Sequence, residues 1–116
     1  MSENTTTVSA LEEVAAERER QNAKWGEQNH PDGTGPDEVF WAGLMSKAKT
    51  YGALATRAKQ TTDDNAKVGL VTFADILLEE VFEALAEEDP AKLRTELIQV
   101  AAVATQWVEA IDRPTK

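Results

Sequence analysis

The chain contains no cysteine, so neither a disulfide nor a thiolate nucleophile is available, and a reducing compartment such as the cytoplasm is the expected setting. Aromatic residues make up only 6% of its 116 residues. No segment alternates apolar and polar side chains for long, so strands are not expected. No apolar run approaches the roughly 20 residues that a membrane span needs. The opening MSENTTTVSALEE has neither a basic n-region nor an apolar h-region, so no secretory signal is expected. Basic residues are also scarce: 12 Lys+Arg stand against 21 Asp+Glu, a formal charge of −9. That charge repels polynucleotide phosphate and argues against a nucleic-acid polymer as partner. It leaves room for a small phosphorylated ligand, because a divalent cation can stand between two negative partners.

What is present is 41% hydrophobic and 28% charged residues, a composition suited to one globular domain with one modest core. Ala, Glu, Leu, Lys, Gln and Arg dominate, and these are helix formers, so the expected class is all-α. Residues 1–8 are polar and read as a disordered N-terminus, leaving 9–116 as a single domain.

Four helices follow from caps and periodicity. The first is expected over Ser9 to Lys24, with Ser9 as N-cap, Glu12 completing a capping box, and Gly26 as the stop. At about 100° per residue, Val8, Leu11, Val14, Ala15, Arg18, Asn22 and Trp25 share the face expected inward. The stretch Glu27 to Pro36 is turn chemistry. The second helix is expected over Asp37 to Gln60, with Pro36 in its first turn and Phe40, Leu44, Ala48, Tyr51, Ala55 and Ala58 as its inward stripe. Thr61 to Asn65 reads as a loop. Helix three carries the best start signal: Thr72 as N-cap, Asp75 at N3, and Val71 with Ile76 as a hydrophobic staple. It should run to about Glu88. Pro90 disfavours helical geometry at Asp89, which then caps helix four, expected to reach Ile111. So short a connection makes helices three and four an antiparallel hairpin.

Glu79, Glu80, Glu83 and Glu96 carry the chemistry. Taken alone, the helix-three glutamates fit an ordinary solvated stripe. Glu96, however, falls inside the apolar sector of helix four, which is formed by Leu93, Leu97, Val100, Val103, Ala104, Trp107, Val108 and Ile111. A buried carboxylate without a partner costs several kcal/mol, so it calls for a cation, an arginine or a metal. Counted from Asp89, Glu83 lies six residues back and Glu96 seven forward, while Glu80 lies nine back and Gln99 ten forward. At 1.5 Å per residue the members of each pair are level, roughly 9–10 Å and 14–15 Å from the turn. Three carboxylates and an amide oxygen are hard ligands that suit Mg²⁺ or Mn²⁺.

Glu79-Glu80-Val81-Phe82-Glu83, followed by Glu96-Leu97-Ile98-Gln99, resembles the EExxE…ExxD signature of the MazG-like all-α nucleoside triphosphate pyrophosphohydrolases. The run from Glu17 to Gly33, ERERQNAKWGEQNHPDG, is similar to the opening of small bacterial and phage members. The likeness follows helix order over nearly the whole chain. It implies an antiparallel four-helix bundle assembled as a dimer or tetramer, and Mg²⁺-dependent hydrolysis of a nucleoside triphosphate to the monophosphate and pyrophosphate. It assigns Glu80, Glu83 and Glu96 as metal ligands and Glu79 as the adjacent acidic position. Gln99 stands where the family has Asp, which removes one negative charge from the ligand set.

The remaining assignments are chemical. Glu79 or Glu80 is the candidate base for an attacking water. Lys47, Lys49, Arg57, Lys59 and Lys67 form the one basic-enriched segment, and Lys47 is the phosphate candidate because it borders the inward stripe. Arg18, Asn22 and Trp25 are candidates for lining a nucleotide pocket, with Trp25 stacking a base. His30 is the only histidine, and no Ser or Cys stands with it as a triad. Trp107, Val108 and Ile111 on helix four, with Trp41 and Met45 on helix two, exceed what one four-helix core covers, so a homo-oligomer is expected. The alternative to an enzyme is a non-catalytic helical binding module of the same fold, for which Gln99 is the distinguishing feature.

Overall fold

The computed structural model describes residues 3–35, 37–40 and 45–114, with side chains from residue 6 onward. In chain order the elements are α1 (Glu3–Trp25), β1 (Val39–Phe40), β2 (Met45–Ser46), α2 (Lys47–Lys67), α3 (Phe73–Ala86) and α4 (Pro90–Asp112). The protein is predominantly helical, as composition requires. Among the described residues no helix is long and apolar enough to cross a membrane. The chain divides into two compact units, residues 1–32 with 104–116 and residues 33–103. α4 contributes its last turns to the first and its opening turns to the second.

In the first unit, α1 begins six residues before the expected Ser9, so Ser9 is interior to the helix and the stretch expected to be disordered is helical from Glu3. Its end is as expected. Gly26 takes φ +69°, and its N–H donates to the Asn22 carbonyl at 2.8 Å, a left-handed cap that glycine adopts without a Cβ penalty. The face expected inward is not the buried one: Val8, Leu11, Val14 and Trp25 are about half exposed, whereas Ala10 is buried. Arg18 and Asn22 are likewise at the surface, where the guanidinium donates to Asn22 Oδ1 at 3.0 Å and to Gln21 Oε1 at 2.6 Å. The α4 end of this unit buries Thr105 and Glu109. Glu109 Oε1 accepts from the Thr7 hydroxyl at 2.9 Å, which gives a buried carboxylate the partner it needs.

In the second unit, a two-stranded antiparallel pairing, Val39 with Ser46 and Phe40 with Met45, occupies part of the segment expected to open helix two. Trp41 and Leu44, expected on that helix, and Pro36, expected in its first turn, lie outside the described residues. α2 instead starts after Ser46, whose Oγ accepts from the Lys49 N–H at 3.2 Å. It then continues through Thr61–Asn65, the expected loop. The residues read there as turn formers make contacts one helical turn apart: Lys59 with Asp63 at 3.2 Å and Gln60 with Asp64 at 2.9 Å. The helix ends in a Schellman motif. Leu70 N–H reaches the Asn65 carbonyl at 2.8 Å, and Gly69, at φ +75°, reaches that of Ala66 at 3.2 Å.

α3 opens with the expected capping box: the Asp75 N–H donates to Thr72 Oγ1 at 3.1 Å, and the Thr72 N–H to Asp75 Oδ2 at 3.2 Å. The same Asp75 registers α3 against α2, because its carbonyl accepts from Thr62 at 3.2 Å and its carboxylate from Asn65 at 3.1 Å. At the other end Tyr51 stacks on Phe82, with centroids 6.2 Å apart, and Phe40 closes on Tyr51 at 5.5 Å. Early α2 therefore meets late α3, an antiparallel pair with Ala58 buried on α2 and Ala84 on α3. Asp89 caps α4 through the Lys92 N–H at 3.0 Å, as expected.

Candidate metal centre

The covered stripe of early α4 is Leu93, Glu96, Val100 and Val103, spaced three or four residues apart. Of the expected apolar sector, Leu97, Ala104, Val108 and Ile111 are exposed instead. Glu96 keeps its place inside the stripe, with a carboxylate where a bland helix would carry an aliphatic residue. Across the short α3–α4 connection, Glu87–Asp89, its carboxylate meets those of Glu80 and Glu83 on α3. Glu87 stiffens that turn by accepting from the N–H groups of Glu88 and Asp89 at 3.0 and 3.1 Å.

Glu80, Glu83 and Glu96 are half-buried, and each offers a carboxylate oxygen within 4.8 Å of the others. Of the four side chains expected to converge by counting from the turn, these three carboxylates come together. One oxygen of Glu80 and one of Glu96 are shielded from solvent and have no hydrogen-bond partner. Such oxygens are costly, and an electropositive ligand would answer them.

The electrostatics agree. Burial, then the hydrogen bond with Glu79, then the charges of Glu80, Glu79 and Glu96 push the Glu83 carboxyl up to about 7. Glu80 is raised first by burial and then by the charges of Glu96 and Glu79. Like charges in a partly desolvated site oppose ionisation, and a divalent cation would reverse that opposition. The donor set, carboxylate oxygens alone, is hard and fits Mg²⁺ or Mn²⁺. The arrangement is one that could hold a metal ion.

The other expected site residues distribute unevenly. Glu79 joins the cluster through its bond to Glu83. Gln99, one turn beyond Glu96, is exposed. Lys47 is engaged at the start of α2: its ammonium lies 3.9 Å from Glu38 and 5.6 Å from the centroid of the Phe40 ring. Arg18 and Trp25 line one cavity of about 270 Å³ in the first unit, together with Gln21, Gly26 and Gln28. Asn22 contributes there only by holding the Arg18 guanidinium. His30 is exposed and pairs with Gln28 at 3.0 Å. Lys59, expected only as one member of the basic segment, has an ammonium that feels the charges of Glu79 and Glu83 in addition to its main partner Asp63.

No protein-family model, curated protein or solved structure matches the chain.

Proposed function

We propose that the protein is a Mg²⁺- or Mn²⁺-dependent nucleoside triphosphate pyrophosphohydrolase, a MazG-like enzyme built as an antiparallel four-helix bundle and active as a homo-oligomer. The observation that carries this reading is the convergence of Glu80, Glu83 and Glu96 with two shielded, unpartnered carboxylate oxygens. The match of the same residues to the EExxE…ExxD pattern supports the reaction class. When bound, the metal would supply charge neutralisation at a phosphoryl group and a more acidic water. Glu80, Glu83 and Glu96 would hold it. Glu79 or Glu80 would act as the proton acceptor for the attacking water; Glu79 is hydrogen-bonded to Glu83 in the metal-free cluster. Trp25 and Arg18 present an aromatic face and a guanidinium, groups suited to a planar base and an anion.

A thermal melt tests the centre and an activity assay tests the reaction. Millimolar Mn²⁺ or Mg²⁺ is expected to raise the melting temperature, and Glu83→Gln to abolish the rise. A panel of ribo- and deoxyribonucleoside triphosphates is expected to yield pyrophosphate. Orthophosphate released without added pyrophosphatase would overturn the reaction class. The second reading is a non-catalytic helical binding module. It is favoured by one observation, the neutral and exposed Gln99 where the family pattern has a carboxylate. Metal binding with no turnover of any nucleotide would select it.

A further inference from the structure

The acidic cluster leaves an electrostatic deficit that a single metal ion does not close. Glu79, Glu80, Glu83 and Glu96 bring four carboxylates together, and one divalent ion neutralises two of those charges. An oligophosphate arriving there would meet residual negative charge, so a protein cation close to the cluster is needed. Lys47 does not meet that need. It lies twelve residues before Lys59 on the same helix, roughly 18 Å along the axis, and is engaged with Glu38.

The α2–α3 register identifies the cation that does. Thr62 and Asp75 are in contact at 3.2 Å. Lys59 lies three residues before Thr62 and Glu79 four residues after Asp75. In an antiparallel pair those steps are roughly 4.5 and 6 Å in the same direction, so Lys59 and Glu79 stand level. The Lys59 ammonium is held by Asp63 at 3.2 Å on its own helix, and its side chain is 63% exposed. Asp63 is its main partner, while Glu79 and Glu83 act on it at longer range. The ammonium therefore lies within electrostatic reach of Glu79 and Glu83 while Asp63 holds it, and its exposure leaves donor capacity for a ligand.

We infer that Lys59 is the phosphate-binding cation of this centre, held at its edge by Asp63 and facing an oligophosphate whose other oxygens face the metal. The inference rests on the metal-centre reading and adds to it a residue on a different helix from the carboxylates. A lysine suits the role because its compact ammonium can follow a phosphate through three rotatable donors. Asp63 limits the rotamers it must give up on binding.

The test separates the two claims. Mn²⁺ binding is measured by calorimetry for the wild type, Lys59→Met and Lys59→Arg. Inorganic pyrophosphate is then titrated into each Mn²⁺-saturated protein, with melting temperatures as the control for folding. The expected result is Mn²⁺ affinity in Lys59→Met equal to or tighter than wild type, pyrophosphate affinity at least tenfold weaker, and Lys59→Arg within about threefold of wild type. Pyrophosphate affinity unchanged in Lys59→Met overturns the assignment while leaving the metal centre intact. So does a wild type that binds Mn²⁺ but no pyrophosphate, or a loss of Mn²⁺ affinity in Lys59→Met. A wild type that binds no Mn²⁺ overturns the metal centre and the assignment together.

Discussion

Metal binding at the glutamate cluster should be a proton-exchange reaction in the neutral range, and Glu83 sets its size. Its carboxyl is pushed up to about 7, against an ordinary value of 4.5. At pH 6 about nine-tenths of the metal-free molecules therefore carry the proton, and at pH 8 about one-tenth. A carboxylate must be ionised to ligate, so Mn²⁺ should expel about 0.9 proton from Glu83 at pH 6 and about 0.1 at pH 8. Competition from the proton should weaken apparent affinity about tenfold at pH 6 relative to pH 8, or about 1.4 kcal/mol. Glu80, raised by burial and by Glu96, adds in the same direction. Stability without metal runs the opposite way. Because the folded pKa of Glu83 lies above the unfolded one, the folded state holds the extra proton between pH 4.5 and about 7. The contribution is complete below 4.5 and is lost as pH rises through 7, by about 1–3 kcal/mol. Calorimetry in buffers of different ionisation enthalpy reads the protons directly, and melts with and without Mn²⁺ read the stability. Equal affinities at pH 6 and pH 8, with no buffer dependence of the heat, would refute the reasoning.

Two further outcomes follow from single side chains. Gln99→Asp introduces a charge one turn from Glu96 and is expected to tighten Mn²⁺ binding by about 1–2 kcal/mol in calorimetric titration; unchanged affinity would put Gln99 outside the ligand set. Thr72→Ala removes the oxygen that accepts from the Asp75 N–H and is expected to cost about 1 kcal/mol in denaturant unfolding, with no change in the metal-induced melting shift.

The parts of this fold that were legible in the sequence are those where a local rule has no competitor. Thr72 with Asp75 is a capping box whose partners lie three residues apart, and Pro90 blocks helix at Asp89 whatever else the chain does. The two ends of α3 were thereby fixed, and with them the short connection across which Glu96 meets Glu80 and Glu83. The second helix failed as a reading because two signals compete within it. Thr61-Thr-Asp-Asp-Asn65 has turn composition, but Lys59 and Gln60 stand one helical turn before Asp63 and Asp64, and the contacts so gained carry the helix to a glycine cap at Gly69. Its start was missed for a related reason. Ser46 caps α2, but an uninterrupted apolar period from Phe40 to Ala58 masked it, although Phe40 belongs to a strand that packs on Tyr51.

Buried faces were less legible than the site, and the difference is energetic. Turning Val8, Leu11 and Val14 of α1 fully toward solvent costs about 1.5–3 kcal/mol each, and less for half-exposed side chains, so periodicity alone does not decide which stripe is covered. A carboxylate inside an aliphatic stripe costs more than that unless it is answered by a proton, a hydrogen-bond donor or a cation. Glu96 was therefore a stronger signal than any of the surrounding apolar positions. Leu97, Val108 and Ile111 changed faces without consequence for the centre, whereas Glu96 stayed in line with Leu93, Val100 and Val103 and met Glu80 and Glu83. The same energetic argument applies to Lys59. An exposed lysine costs almost nothing wherever it sits, so nothing in the sequence distinguishes it from Lys49 or Lys67. Only the register set by Thr62, Asn65 and Asp75 singles it out as the cation beside the carboxylates.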